Sequence, residues 1–236
     1  MASEPVLQIT NLCKTFTLHA QGGTRIPVLD RVNLTVSPGE CVMLDGPSGS
    51  GKSTLLRSIY ANYKPQAGSI RVRHHETWVD MVTSPPQHVL QVRRTTMGYV
   101  SQFLRVIPRV SAIDVVSEPL RELGVDLDEA RQRATALLAT LYIPPHLWDL
   151  APATFSGGEQ QRVNIARSFV LDYSILLLDE PTASLEAENR ETVMGLIQAA
   201  RQRGAAIVGI SHDEYVRHTI GTRFYPMQVK ETSACL

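Results

Sequence analysis

The chain has 236 residues, 43% of them hydrophobic, which suits one large α/β domain with a real core. Lys plus Arg is 23 and Asp plus Glu is 23, so the formal net charge is zero and no nucleic-acid partner is expected. The longest apolar runs are strand-length, well short of the roughly 18 residues a membrane span needs.

The first five residues, Met1 to Pro5, show neither the basic nor the apolar region of a secretory signal, so export is not expected. Three scattered cysteines, Cys13, Cys41 and Cys235, lack Cys-x-x-Cys spacing and point to a reduced, cytoplasmic setting. Cys41 is expected to be a small core residue.

In chain order, residues 6–10, 14–19, 32–36 and 40–44 read as short strands, punctuated by Gly22-Gly23 and Ser37-Pro38-Gly39. A helix is expected after residue 53. A strand follows at 69–73, with 77–80 pairing to it as a hairpin. Residues 97–100 read as a strand. From about 103 the pattern turns helical: Ala134, Leu137, Leu138 and Leu141 share one helix face, Asp126 or Asp128 caps it, and Pro144-Pro145 stops it. A second helix is expected over 157–170. Strands at 175–179 and 205–210 flank a helix over 187–203 that Gly204 ends. This pattern predicts an α/β fold: a mostly parallel sheet with helices, opened by a β-rich part and interrupted by a helical insert. A β/α core is expected over 1–102 and 171–236, with the helical insert over 103–170.

Gly46-Pro47-Ser48-Gly49-Ser50-Gly51-Lys52-Ser53 fits G-x-x-x-x-G-K-[ST], and Thr54 opens the following helix. Strand, glycine loop and helix together form the context of a triphosphate-binding loop. The glycines let backbone N–H groups converge on phosphate oxygens, and the helix start adds partial positive charge. Lys52 suits the β- and γ-phosphates, and the Ser53 hydroxyl suits Mg²⁺. The apolar run 175–178 ends in Asp179-Glu180. At the carboxyl end of a buried strand, Asp179 suits the metal and Glu180 suits a general base acting on water. Ser156-Gly157-Gly158 opens a helix and forms a second phosphate-binding device. Two such devices on one chain make sense if two copies face each other across the nucleotide. His74-His75 near Glu76 reads as an exposed turn, and Trp78 and Trp148 as packing residues.

With these motifs in order, the chain resembles the ATP-binding-cassette ATPases from about residue 7 to 227. The resemblance implies a P-loop fold with an N-terminal antiparallel β-subdomain and an inserted helical subdomain. It implies ATP and Mg²⁺ as ligands, and a homodimer or a heterodimer with a related subunit. Phe16 matches the aromatic that stacks on adenine. Gln102 matches the glutamine linking Mg²⁺ and the γ-phosphate to the helical part, and His212 matches the γ-phosphate histidine. Phe155 to Gln161 is similar to the signature, whose Ser156, Gly157 and Gly158 face the partner's nucleotide. The chain departs from the pattern in having Phe155 where an aliphatic is usual, Glu159 where Gln is frequent, and Glu186 where Asp is usual.

Within that family, the stretches 56–63, 101–109, 155–167 and 203–210 resemble the L subunit of the bacterial carbon–phosphorus lyase system. That resemblance implies phosphonate catabolism and docking on the soluble lyase core complex. The alternative is the ATPase of a membrane transporter, a phosphonate importer or a lipoprotein-release exporter.

Overall fold

The structure, a computed structural model, describes residues 4–18, 23–102 and 108–228. A four-stranded antiparallel sheet has the order β2-β1-β4-β5, and a five-stranded sheet has the order β6-β7-β8-β3-β9. In the first, β1 (Leu7–Leu18) lies between β2 (Thr24–Val36) and β4 (Ala67–His74), and β5 (Thr77–Asp80) closes the edge as the expected hairpin. In the second, β3 (Cys41–Asp45), β6 (Met97–Val100), β7 (Ile175–Asp179), β8 (Ala206–Ile210) and β9 (Arg223–Pro226) all run parallel.

The opening of the chain differs from expectation. Two long strands replace the short ones at 6–10, 14–19 and 32–36, because Asn11 (φ 48°) and Arg31 (φ 48°) bend the β1–β2 ladder at register shifts without ending it. His19 lies outside the described residues.

The parallel strands are apolar on both faces, as helix-covered strands must be. On β3, Cys41 and Met43 enter one core while Val42 and Leu44 enter the other. On β7, Leu176 and Leu178 face the first core and Ile175 and Leu177 the second. The second core lies under the antiparallel sheet and takes Leu55, Leu56 and Ile59 of α1 (Lys52–Ile59). The first takes Val116 and Leu120 of α3 (Ala112–Glu122), Ala134 and Leu138 of α4 (Leu127–Thr140), and Val163 of α5 (Gly157–Phe169). It also takes Val193 and Ile197 of α6 (Ala187–Gln202). Each fully buried Leu or Ile contributes about 1.5–3 kcal/mol.

Asp126 caps α4 by accepting from Asp128 N–H at 2.9 Å. That helix ends at Thr140, ahead of the Pro144-Pro145 stop expected for it. Tyr142 adopts φ 53°, Ile143 N–H donates to Leu138 O and Tyr142 N–H to Ala139 O, which closes the helix as a Schellman cap. Gly204 (φ 98°) ends α6 in the same way, with Ala205 N–H on Ala200 O. Two helices and one strand had no sequence counterpart: α2 (Pro86–Thr95), α7 (Glu214–Ile220) and β9; α3 falls in the stretch after 103 that reads as helical, without being singled out there. α2 is mostly polar, and α3 carries Pro119 in its interior, which reads as a breaker.

Candidate functional site

Val100, Leu178 and Gly209 lie side by side on β6, β7 and β8, and Met43 of β3 pairs with Gly209. The loops leaving these strands therefore gather at one carboxyl edge, where α/β sheets hold ligands. β3 leads into the loop 46–51, β6 into Gln102, β7 into Asp179-Glu180, and β8 into Ser211-His212.

The loop 46–51 curls over the start of α1. Gly46 (φ 150°), Gly49 (φ 83°) and Gly51 (φ 91°) take backbone angles that side-chain-bearing residues rarely adopt. A Cβ on Gly46 would sit 2.2 Å from the Met227 carbonyl oxygen, and one on Gly51 would sit 2.9 Å from that of Val28. Ser50 N–H closes a turn on Pro47 O at 3.2 Å. Lys52 Nζ donates to Gly46 O at 2.6 Å and Pro47 O at 3.0 Å, so the ammonium spans the loop.

Asp179 is 2% exposed, a burial that demands hydrogen-bond partners. Ser53 Oγ donates to its Oδ1 at 3.1 Å and Tyr99 Oη donates to its Oδ2 at 3.0 Å. A hydroxyl and a carboxylate side by side, both hard oxygen donors, fit a magnesium ion. Glu180 leaves the sheet at φ 55°, a left-handed bend that costs about 1–2 kcal/mol in a residue with a Cβ. His212 N–H donates to its Oε2 at 3.2 Å. His212 Nε2 stands 3.4 Å from the buried Glu180 Oε1, within ion-pair distance but without hydrogen-bond geometry, so among the described residues that oxygen accepts no hydrogen bond. The His212 side chain is 68% exposed and that of Glu180 13%.

Ser156 is the N-cap of α5. Its Oγ donates to Glu159 Oε2 at 2.7 Å, and its N–H donates to the same oxygen at 2.9 Å. The Glu159 N–H returns to Ser156 Oγ, completing a capping box. These bonds hold the Glu159 carboxyl below its ordinary range, the Ser156 hydroxyl contributing most. Gly158 sits under the loop after Glu180: a Cβ there would be 3.3 Å from Ser184 O. A Cβ on Gly157 would meet nothing within 4 Å. Among the described residues no hydrogen bond joins Ser156, Gly157 or Gly158 to the phosphate loop.

One polar stripe escaped the sequence reading. Gln161, Asn164 and Ser168 fall at i, i+3 and i+7 on α5, and all are buried. Asn164 Nδ2 donates to Ser101 O at 2.7 Å, and Ser168 Oγ to Tyr99 O at 3.2 Å. Gln161 Nε2 donates to Pro181 O at 3.4 Å. The helix that begins at Ser156 is thereby tied to the exits of β6 and β7. Polar residues at helical spacing within an apolar run carry this signal in the sequence.

The remaining expectations fall as follows. Phe16 on β1 is half-buried, met edge-on by Tyr63 at 5.2 Å, with Lys14 Nζ 4.9 Å from its ring centre. Gln102 is exposed just beyond β6, next to the Ser101 carbonyl that Asn164 holds. Thr54 lies in the first turn of α1, its carbonyl accepting from Ser58 Oγ at 2.8 Å. Phe155 is 7% exposed and belongs to the core that receives α5. Cys41 is buried, which pushes its thiol up to about 12, so it stays a neutral core side chain. His74 Nδ1 lies 2.6 Å from Thr96 Oγ1. Trp148 donates Nε1–H to Ile143 O at 2.9 Å. Residues 103–107, within the stretch 101–109 that carries part of the resemblance, lie outside the described residues, as does Cys235.

A model of the ABC transporter family matches residues 29–183. The lipoprotein-releasing system ATP-binding protein LolD of Hyphomonas neptunium is 37% identical, with 89% of each chain covered. The macrolide export ATP-binding/permease protein MacB of Brucella melitensis is 36% identical over 90% of this chain, which spans 32% of that protein's length. The dimeric, post-hydrolysis structure of the ATP-binding cassette MJ0796 with ADP and Pi superposes with a TM-score of 0.85 at 30% identity, covering 94% of both chains. These names speak for lipoprotein release and macrolide export; they give no support to the carbon–phosphorus lyase subunit expected from the sequence. The fold, the carboxyl-edge site and these likenesses agree: the chain belongs to the ABC transporter family, as one of its ATP-hydrolysing cassettes.

Proposed function

We propose that the chain is the ATPase subunit of a membrane transport assembly of the lipoprotein-release or macrolide-export kind, and that it works as a dimer closing on ATP. One observation carries the dimer. The chain has a phosphate loop and acids at one edge, plus a second glycine device at Ser156-Gly157-Gly158 where its own packing leaves Gly157 free to carry a side chain. A glycine that the fold does not need is explained by a ligand approaching its backbone from outside.

In this reading the loop from Gly46 to Gly51, Lys52 and Thr54 hold the phosphates, and Phe16 stacks on the adenine. Ser53 and Asp179 hold Mg²⁺ with Gln102 at its side; bound there, the ion neutralises charge on the β- and γ-phosphates. Glu180 takes a proton from the attacking water. His212, already bonded through its N–H to Glu180, faces the γ-phosphate. Ser156, Gly157 and Gly158 of a second copy, or of a related subunit, close the other side. Contacts that require the γ-phosphate hold the closed form, so hydrolysis opens it. Among the described residues no helix is long and apolar enough to cross a membrane, so a permease would be a separate chain or a fused domain.

A second reading keeps this cycle and assigns it a soluble partner, the carbon–phosphorus lyase core of phosphonate catabolism. It rests on the four sequence stretches that resemble the L subunit of that system. Purification from native membranes in detergent separates the two. Recovery with permease subunits supports transport, and recovery with soluble enzymes of phosphonate cleavage refutes it.

A further inference from the structure

Asp179 accepts one hydrogen bond on each carboxylate oxygen, and only one donor comes from the phosphate-loop helix. The other is Tyr99, from the adjacent strand β6, where it pairs with Leu177. Its ring is braced against Tyr60, with centroids 5.0 Å apart and planes tilted by 31°. Tyr60 in turn lies 4.3 Å from the Arg93 guanidinium, and its carbonyl accepts Arg93 Nε–H at 2.7 Å. Arg57 of α1 donates to Tyr63 Oη at 3.1 Å, and Tyr63 meets Phe16 edge-on.

A phenylalanine at position 99 would keep the ring packing and lose only the donor. The terminal torsion of an aspartate is broad and soft, so a carboxylate held through Oδ1 alone is free to swing. We propose that Tyr99 is a positioning residue for the ATPase reaction. Its hydroxyl, donating to Asp179 Oδ2, fixes the plane of the carboxylate so that the edge beside Ser53 faces the cation. This rests on the reading of Asp179 as the metal-facing acid.

The test uses the full chain with Tyr99→Phe, Asp179→Asn and the double variant. Two quantities are measured: Mg²⁺ dependence of ATP hydrolysis, and Mn²⁺ affinity with a non-hydrolysable ATP analogue, followed by electron paramagnetic resonance. Tyr99→Phe is expected to weaken Mn²⁺ binding by about three- to tenfold, the loss of one hydrogen bond. Nucleotide affinity in EDTA should stay at the wild-type value, while the melting temperature falls modestly because a buried carboxylate oxygen loses its donor. In the Asp179→Asn background the same change should have no further effect on Mn²⁺ affinity; a merely structural role would add instead. Unchanged Mn²⁺ affinity in Tyr99→Phe, with a clear loss in Asp179→Asn, overturns the proposal and leaves the metal reading standing. Unchanged affinity in Asp179→Asn overturns the metal reading and the proposal with it.

Discussion

At the scale of single residues, the site divides into groups its own fold requires and groups it does not. Gly46 and Gly51 are required, since a Cβ at either would strike a backbone carbonyl. Gly157 is not. Gly157→Ala should therefore fold at least as well as the parent, and by helix propensity gain up to about 0.5–1 kcal/mol. It should nevertheless lower ATP turnover; a stabilised variant with undiminished turnover would remove the reason to place a ligand at this backbone. Glu159 makes a second prediction. Its carboxyl is held low by the Ser156 hydroxyl, then by the Ser156 N–H. A group depressed in the folded state adds stability above its unfolded pKa of ~4.3 and loses it as pH falls through the folded value. Glu159→Gln should flatten the fall in melting temperature between neutral pH and the acid side of that value. An identical pH profile would show that the cap does not act through charge. The candidate motifs could be picked out at this scale because each depends on a residue type at fixed spacing. Tyr99 was not, because its role depends on which strand lies beside β7.

At the scale of elements, α5 carries most of the linkage. Its start is the glycine device, and its buried stripe fastens it to the carbonyls of Tyr99, Ser101 and Pro181. Asn164→Ala would remove the hydrogen bond donated to the Ser101 carbonyl, at a cost of about 0.5–1.5 kcal/mol. It should also lower kcat while leaving ATP affinity near the parent value, because Gln102 and the glycine device would no longer move together. Equal kcat would confine Asn164 to stability. The N-terminus of α6 provides a gain. Glu186 is its N-cap with no side-chain bond to the helix, and the shorter aspartate is the better capping residue. Glu186→Asp should add about 0.5–1 kcal/mol, and differential scanning calorimetry should register a rise of roughly 1–4 °C. β7 and β8 were read correctly from their continuous apolar runs. α2 and α7 went unread, and α3 was not singled out within its helical stretch, because short polar helices, and one with an internal proline, owe their existence to packing rather than periodicity. The break expected within β1 misread a bulge as a loop, since Asn11 punctuates a sequence equally in either case.

At the scale of the whole molecule, each carboxyl-edge group lies at a strand end, and the order of the parallel sheet, β6-β7-β8-β3-β9, brings residues 46–53, 102, 179–180 and 212 together from distant parts of the chain. The family pattern made that assembly readable before any fold was seen. The specialised partner was less readable, because surfaces that choose partners carry no fixed spacing. Among the described residues the same architecture leaves the glycine device of α5 unbonded to the phosphate loop, so the proposed cycle depends on a second subunit completing the site. The most direct measurement takes the Glu180→Gln variant, which should hydrolyse ATP about 10²- to 10⁴-fold more slowly, and determines its mass by light scattering with Mg²⁺ and ATP. A dimer with ATP that reverts to monomer with ADP, and that Ser156→Arg abolishes without loss of ATP binding, is the predicted result. A variant saturated with ATP that remains monomeric at high protein concentration would contradict it.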